Sequence, residues 1–302
     1  MKLTIFTPTF NRAYILGNLY SSLRKQTSRA FEWVIVDDGS TDDTETLVNG
    51  WIAEADFDIV YRKQSNQGKH IAINEGVRLA TGNLFCVVDS DDFLSADAAE
   101  KILAHWEKYG AGREEVSGII SYKRFLDGRI SGTLIPSEIQ YCILRDASRK
   151  YNSRGEKLVI HRTDILRQYP YPQFAGENFL GESYVYNQID EKYKMSVMND
   201  AVYWFDYQND GLSRDFRRLY RNNPQGFYLI YAQNSRYLTN VPEKLKNAAH
   251  LDALAIRLGK RVIDKPDRFW RLMALPLGIF MYLKIFVFKV SDVKWYLHGT
   301  KK

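Results

Sequence analysis

The chain has 302 residues, of which 45% are hydrophobic and 26% charged, with a net charge of +6. That length supports one large domain or two small ones around a sizeable core, and the composition excludes a disordered, collagen-like or disulfide-scaffolded protein. Only two cysteines occur, Cys86 and Cys142, which fits a reducing compartment, and the opening Met1-Lys2-Leu3-Thr4-Ile5-Phe6-Thr7-Pro8 has too short an apolar run for a signal peptide.

The first hundred residues alternate between two periodicities. Leu3–Thr7 reads as a short strand, and Ile15, Leu19 and Leu23 recur at helical spacing. Trp33-Val34-Ile35-Val36 is a continuous run of the kind buried on both faces of a sheet. Ser40 and Asp43 open a helix as a variant capping box, with Leu47, Trp51, Val48 and Ile52 on its inner side. Asp58–Arg62 is a third strand. Residues 69–80 form a helix with Ile73, Val77 and Ala80 inward and Gly82 just past its end, and Leu84–Val88 is a fourth strand. This order predicts an α/β fold with a mostly parallel, Rossmann-like sheet and helices on both faces.

Beyond residue 110 the pattern loosens. Residues 117–150 mix short strands and turns, and 158–168 read as a strand entering a helix. A helix follows over 183–193 with Val185 and Ile189 inward, then a strand over 201–208 and helices over 225–240 and 243–262. The expected organisation is a nucleotide-binding half (1–110), a second half of the same domain (111–215), a helical extension (216–265) and a basic amphipathic tail (266–302).

Charge divides the chain. Residues 216–302 hold 17 Lys/Arg and 5 Asp/Glu, whereas 1–215 hold 25 and 31. Within the basic part, Leu272–Leu283 carries no charge and is flanked by Arg268, Arg271, Lys284, Lys289 and Lys294, with Trp270, Tyr282, Trp295 and Tyr296 nearby. Twelve uncharged residues fall short of the ~20 a spanning helix needs, and Pro276 and Gly278 argue against one continuous span. The segment suits an interfacial anchor on an anionic leaflet, or else a helix packed on the protein's own core. No nucleic-acid module accompanies the basic residues, so nucleic acid is not an expected partner.

In a parallel sheet the ligand crevice lies beyond the carboxyl ends of the strands. Polar loops converge there: Thr7-Pro8-Thr9-Phe10-Asn11-Arg12, Asp37-Asp38-Gly39-Ser40, Asn66-Gln67-Gly68-Lys69 and Asp89-Ser90-Asp91-Asp92. Three carboxylates within four residues repel one another unless a cation lies between them. Asp89–Asp92 therefore reads as a divalent-cation site completed by substrate phosphates, or as a solvated turn with Asp92 capping a helix. Asp37 and Asp38 can accept hydrogen bonds from a ribose or a base, or sit at the next helix's N-terminus for its dipole. Phe10 can stack on a flat base or pack in the core. Gly68-Lys69 opens a helix whose free N–H groups and ammonium suit a diphosphate. There is no G-x-x-x-x-G-K-[ST], G-x-G-x-x-G or G-x-S-x-G, and the five histidines show no zinc spacing. His161, in Val159-Ile160-His161-Arg162, reads as a satisfied histidine on a strand edge, or else as a group that reaches the acceptor cleft.

Taken in order, T-P-T-F-N-R, V-D-D-G-S, N-Q-G-K…N-E-G and D-S-D-D resemble the large family of inverting nucleotide-sugar glycosyltransferases with the GT-A fold, over roughly residues 1–105. Gly176–Glu182, Asp210-Gly211-Leu212-Ser213 and Asn223–Phe227 resemble the bacterial members that build capsular, exopolysaccharide or lipopolysaccharide chains. The resemblance implies that Phe10 stacks on the uracil of a UDP-sugar with Pro8 and Asn11 beside it. It implies that Asp38 binds base or ribose with Asp37 in support, that Gly68 and Lys69 lie at the diphosphate, and that Asp89 approaches ribose or donor sugar. Asp91 would hold Mn²⁺ or Mg²⁺, with Asp92 a second candidate ligand.

Glu182 matches the family's catalytic carboxylate, although Ser183 stands where an Asp often follows; Glu177 is its rival. The aromatics Tyr169, Tyr171, Phe174, Phe179 and Tyr184 form an acceptor platform or core packing. The implied protein is a metal-dependent hexosyl- or N-acetylhexosaminyltransferase acting on a lipid-linked or oligosaccharide acceptor. Its expected location is cytoplasmic, peripheral to the inner face of the cell membrane. The rival readings are a nucleotidyltransferase and a catalytically inactive sugar-nucleotide binding module.

Overall fold

A computed structural model describes residues 1–206, 216–261 and 268–288. The chain divides into two units: Met1–Gln173 with Gly181–Gly211, and Phe174–Leu180 with Leu212–Lys302. Asp210-Gly211-Leu212-Ser213, Lys289, Lys294, Trp295 and Tyr296 lie outside the described residues.

The first unit opens with β1 (Leu3–Thr9), α1 (Ala13–Arg24), β2 (Phe31–Asp37), α2 (Thr44–Glu54), β3 (Asp58–Lys63), α3 (Lys69–Leu79) and β4 (Leu84–Val87). Next come β5 (Phe93–Leu94), α4 (Ala98–Tyr109), β6 (Val116–Phe125), β7 (Tyr141–Cys142), α5 (Leu144–Arg149) and β8 (Lys157–Arg162). It ends with α6 (Thr163–Leu166), α7 (Ser183–Ile189), β9 (Lys194–Val197) and β10 (Tyr203–Phe205). The strands form one sheet in the order β3-β2-β1-β4-β8-β6-β10-β5, with β9 beside β6 and β7 beside β9. β1 pairs parallel with β2 and β4, β2 with β3, and β6 with β9 and β10, while β8 runs antiparallel between β4 and β6.

Alternation along β1 explains the two covered faces. Leu3 and Ile5 join a core with Trp33, Ile35 and residues of α1, α2 and α4. Phe6 points to the opposite face, where it stacks on Phe85 and meets α3. A Cβ at Gly76 of α3 would lie 2.2 Å from the Phe6 ring, so only glycine permits this approach. β2 is buried at every position, as a strand covered on both faces must be.

Several sequence expectations shift. α1 forms over the expected repeat and buries Leu16, Leu19, Tyr20 and Leu23, while Ile15 is only half-buried. Ile52 of α2 is exposed, and Val48 and Trp51 face inward. The helix start is organised by Asp42 rather than by Ser40: Asp42 accepts from the Thr44 N–H and hydroxyl and from the Ala13 N–H. His161 lies on β8 between two strands, not at an edge, with its ring 5.0 Å from Tyr186; burial pushes its pKa down to about 3.

The second unit contains α8 (Phe216–Asn222), α9 (Pro224–Asn234), α10 (Val241–Arg257) and α11 (Arg268–Tyr282), the last continued by a π-helical turn over Leu283–Val287. Asn240 caps α10 by accepting from the Glu243 N–H at 2.9 Å. Arg268–Val287 is one 20-residue helix, long and apolar enough by length and composition to cross a membrane. This corrects the expectation that Pro276 and Gly278 break it. Pro276 is exposed, so its ring points away from the packed side. Gly278 is the point of closest approach, where a Cβ would lie 2.6 Å from the Asp252 Cβ of α10.

Candidate active site

The carboxyl ends of β1, β2 and β4 lie along one rim of the sheet because these strands are parallel. Each runs into one of the polar loops, and hydrogen bonds lock the loops together. Asn11 takes a left-handed φ of 54°; its N–H donates to the Ser40 Oγ at 2.8 Å, and its Oδ1 accepts from the Thr41 N–H at 2.8 Å. Pro8 is half-buried, and Phe10 is 45% exposed on this rim. An exposed ring that contributes nothing to the core is available to a ligand.

Asp37 is fully buried, and its two oxygens accept from the Ser40 N–H at 2.7 Å and the Tyr61 hydroxyl at 2.6 Å. Asp38 is also buried. It accepts from the Gln64 amide (2.8 Å), the Gln67 N–H (2.9 Å) and the Gly68 N–H (2.7 Å). Its carboxylate thus fixes the loop that delivers Gly68 and Lys69. Gly68 has φ 92°, a conformation that strains other residues, and it precedes the first turn of α3.

Lys69 is the hub of the site. Its Nζ lies 2.6 Å from Asp89 Oδ1 and 2.8 Å from Glu182 Oε1. Burial opposes its charge, but the two carboxylates outweigh burial and raise its pKa. Burial also pushes the Asp89 carboxyl up, yet Lys69 and then Lys123 reverse this and hold it at about 2. Lys123 of β6 stands 3.9 Å from both Asp89 Oδ2 and Asp92 Oδ2. It also sits 4.1 Å from the ring centroid of Tyr203, its register partner on β10. The Tyr203 hydroxyl donates to Asp92 Oδ2 at 2.7 Å and accepts from the Asp89 N–H at 3.0 Å, clamping the D-S-D-D turn.

Asp91 and Asp92 differ. Asp92 is buried behind Tyr203, and burial raises it to about 7 against the pull of Lys123. Asp91 is half-buried, and burial, then the neighbouring Asp89, raise its pKa. Among the described residues no three His, Cys, Asp or Glu side chains converge as a ready-made metal cage. Mg²⁺-type sites that share phosphate ligands need only one or two carboxylates. Asp91, a partly accessible carboxylate beside another negative charge, fits that requirement.

Glu182 precedes α7 but makes no capping bond to it. Its Oε2 instead accepts from the Tyr186 hydroxyl at 3.1 Å, one helical turn on, and its carbonyl accepts from the Tyr171 hydroxyl at 3.4 Å. Tyr171 is in turn fixed by a reciprocal pair with Asn74 of α3, at 2.8 and 2.9 Å. Glu177, the rival, caps α9: its two oxygens accept from the Gln225 and Gly226 N–H groups at 2.8 and 2.9 Å. Of the aromatic cluster, Tyr171 is buried and Phe179 stacks on Phe227; both pack rather than present a sugar-binding face.

Sequence reasoning missed Lys123, Tyr203 and Tyr186. The spacing of four between Glu182 and Tyr186 was the available signal for the last. Lys123 and Tyr203 are neighbours only through strand order.

Residues 4–126 match the family model described as Glycosyl transferase family 2. The chain is 35% identical over 102 residues to a PGL/p-HBAD biosynthesis glycosyltransferase of Mycobacterium bovis, covering 33% of this chain and 40% of that protein. It is 34% identical over 110 residues to Glycosyltransferase GlyA of Streptococcus pneumoniae, covering 36% and 16%. The matches thus span less than half the length of these relatives. Among solved structures, S. aureus TarS 1-349 in complex with UDP-GlcNAc superposes with a TM-score of 0.63 at 19% identity, over 92% of this chain and 81% of that one. The mannosyltransferase PcManGT from Pyrobaculum calidifontis, in complex with GDP-Man and Mn²⁺, gives 0.55 at 20% identity, over 94% and 87%. The likeness to these structures is one of fold, a mixed α/β GT-A-like architecture, and within it residues 4–126 match the Glycosyl transferase family 2 model.

Proposed function

We propose that this protein is an inverting glycosyltransferase that moves a sugar from a UDP-sugar to a hydroxyl of a lipid-linked or oligosaccharide acceptor in bacterial surface-glycan synthesis. One observation carries the reading: Lys69 joins Asp89 and Glu182 at the carboxyl rim of a sheet that matches the family 2 model. A donor-side carboxylate, a diphosphate-seeking ammonium and a candidate base therefore share one point.

The exposed Phe10 ring stacks on the uracil, with Pro8 and Asn11 shaping the loop beside it. Asp38 acts through the Gln64–Gly68 loop it holds, so that Gly68 and Lys69 meet the diphosphate. Asp89 approaches the ribose or donor sugar. Asp91 would hold Mn²⁺ or Mg²⁺, with Asp92 a second candidate; a bound divalent ion supplies Lewis-acid stabilisation of the diphosphate's leaving charge. Glu182 takes the proton of the acceptor hydroxyl as that oxygen attacks the anomeric carbon. One base and one in-line displacement invert the anomeric configuration. Tyr186 and Lys69 orient the Glu182 carboxylate from its two oxygens. Glu177 serves as a helix cap.

The test is titration calorimetry of UDP, GDP, ADP and dTDP, with Mn²⁺ and with EDTA, on the wild type and Asp91→Ala. UDP binding that needs Mn²⁺ and is lost in the variant is the expected result. Absence of nucleotide binding under every condition refutes the reading.

A further inference from the structure

We infer that the outer face of α11 with its π-helical turn is an interfacial surface for an anionic lipid bilayer, lying in the plane of the headgroups rather than crossing them. The helix has two sharply different sides. Arg271, Ala274, Gly278 and Met281, spaced by three and four, are buried and pack with Ala248, Ala249 and Ala253 of α10. Phe269, Leu272, Met273, Leu277, Ile279, Phe280, Leu283, Val287 and Phe288 are exposed. At 100° per residue they cover a stripe about 180° wide, opposite the packed side. Among the described residues nothing covers that stripe.

Charge selects the occupant. Arg268–Phe288 contains no acidic residue, and residues 268–302 hold seven Lys/Arg against one Asp. A basic, apolar-faced helix is drawn to anionic headgroups while its apolar stripe enters the acyl boundary. A second copy of the same face would bring like charges together. Trp270, with Lys244 over its ring at 5.4 Å, and Tyr282 are half-buried and pack against the α10–α11 cluster, at the margins of its packed side.

The packed side decides the orientation. The Arg271 Nε donates to Asp252 Oδ1 at 2.8 Å, and both side chains are fully buried between α10 and α11. To span, α11 must either separate from α10 and carry Arg271 unpaired into hydrocarbon, or take Glu243, Lys244, Lys246 and Arg257 of α10 with it. Both put charge where the bilayer strongly disfavours it. Lying flat keeps the ion pair on the protein side and the stripe on the lipid side. The length of the helix, about 30 Å, is then a footprint rather than a span.

The experiment is co-sedimentation of the full chain with vesicles of phosphatidylcholine alone and of phosphatidylcholine with phosphatidylglycerol. It compares the wild type with Leu277→Glu/Phe280→Glu, two exposed positions whose change leaves the α10 contact intact. Expected are at least tenfold stronger partitioning onto the anionic vesicles, release by high salt or alkaline carbonate, and at least 100-fold weaker partitioning of the variant at an unchanged Tm. Four results overturn the inference. They are no sedimentation of the wild type, equal binding to neutral vesicles, extraction only by detergent, and a concentration-dependent dimer abolished by the double substitution. UDP binding measured on the same samples keeps this result separate from the enzymatic reading, since either can fail alone.

Discussion

Lys69→Met isolates the interaction on which the site is built. One ammonium lies 2.6 Å from an Asp89 oxygen and 2.8 Å from a Glu182 oxygen, so those oxygens are at most 5.4 Å apart. Without the ammonium, two carboxylates at about 5 Å repel by about 3 kcal/mol at an effective dielectric of 20. Asp89 and Glu182 are each 33% exposed, and solvent screening leaves roughly half of that, about 1.5 kcal/mol. Urea unfolding in EDTA should therefore show Lys69→Met destabilised by about 1.5–3 kcal/mol, the upper end including the two lost charge-assisted hydrogen bonds. Adding Glu182→Gln to this variant removes one of the repelling charges and should return about 1.5 kcal/mol. UDP affinity should fall roughly 10- to 100-fold in Lys69→Met, through loss of the ammonium's hydrogen bond to the diphosphate. A double-mutant cycle in which Lys69→Met and Glu182→Gln add without coupling refutes the reasoning. It would mean that Lys69 and Glu182 do not share a charge balance.

Three further outcomes follow from the same geometry. Glu182→Gln should keep UDP affinity in calorimetry and lose roughly 10²–10⁴ in kcat, whereas Glu177→Gln should leave kcat intact at low temperature and cost about 1 kcal/mol in thermal unfolding through its weakened cap on α9; the reverse pattern makes Glu177 the base. Phe10→Ala should weaken UDP binding by roughly 5- to 10-fold without lowering Tm, since the ring is exposed; a fall in Tm with unchanged affinity makes Phe10 a packing residue. Glu32 is buried, and although burial raises its pKa, donors from Thr4, Thr81 and Lys2 bring it down from 4.5 to about 2. Because the folded value is the lower one, its contribution of about 3 kcal/mol is fully present above pH 4.5 and is lost as pH falls through 2. Glu32→Gln should flatten that part of the acid-unfolding curve, and an unchanged curve would show that other carboxylates control it.

What the sequence made legible was whatever one strand and its following loop determine. Trp33–Val36 announces itself because a strand covered on both faces has no polar side to show. The four rim loops were legible because parallel strands send their carboxyl ends to one edge. What stayed hidden was set by pairing at a distance. Lys123 and Tyr203 are 80 positions apart and meet as register partners on β6 and β10, and neither carries a local motif. Ile52 was misplaced for a related reason. Its spacing suits an inner face, but the sheet beneath α2 accepts Val48 and Trp51, and nothing remains for Ile52 to cover. Pro276 misled because proline costs a helix interior one hydrogen bond and crowds its own preceding turn, yet the helix runs through it, with the proline on the exposed side.

The two glutamates show how environment rather than identity assigns a role. Glu182 directly precedes α7, whereas Glu177, five positions earlier, meets the start of the distant α9, and both were open to the same chemistry. Glu177 has its two oxygens on the two leading N–H groups of α9. Those bonds are geometrically fixed by the helix, and a proton taken by this carboxyl would break the cap. Glu182 leaves its helix uncapped and bonds instead to a lysine ammonium and a tyrosine hydroxyl. Both partners are side chains with rotatable bonds, so they can hold the carboxylate in place and still yield an oxygen to an incoming hydroxyl. A base must be oriented yet exchangeable, and a cap must be permanent. That difference, rather than the order of residues after either glutamate, is what makes Glu182 the site to mutate, and it holds with Ser183 standing where relatives often carry an aspartate.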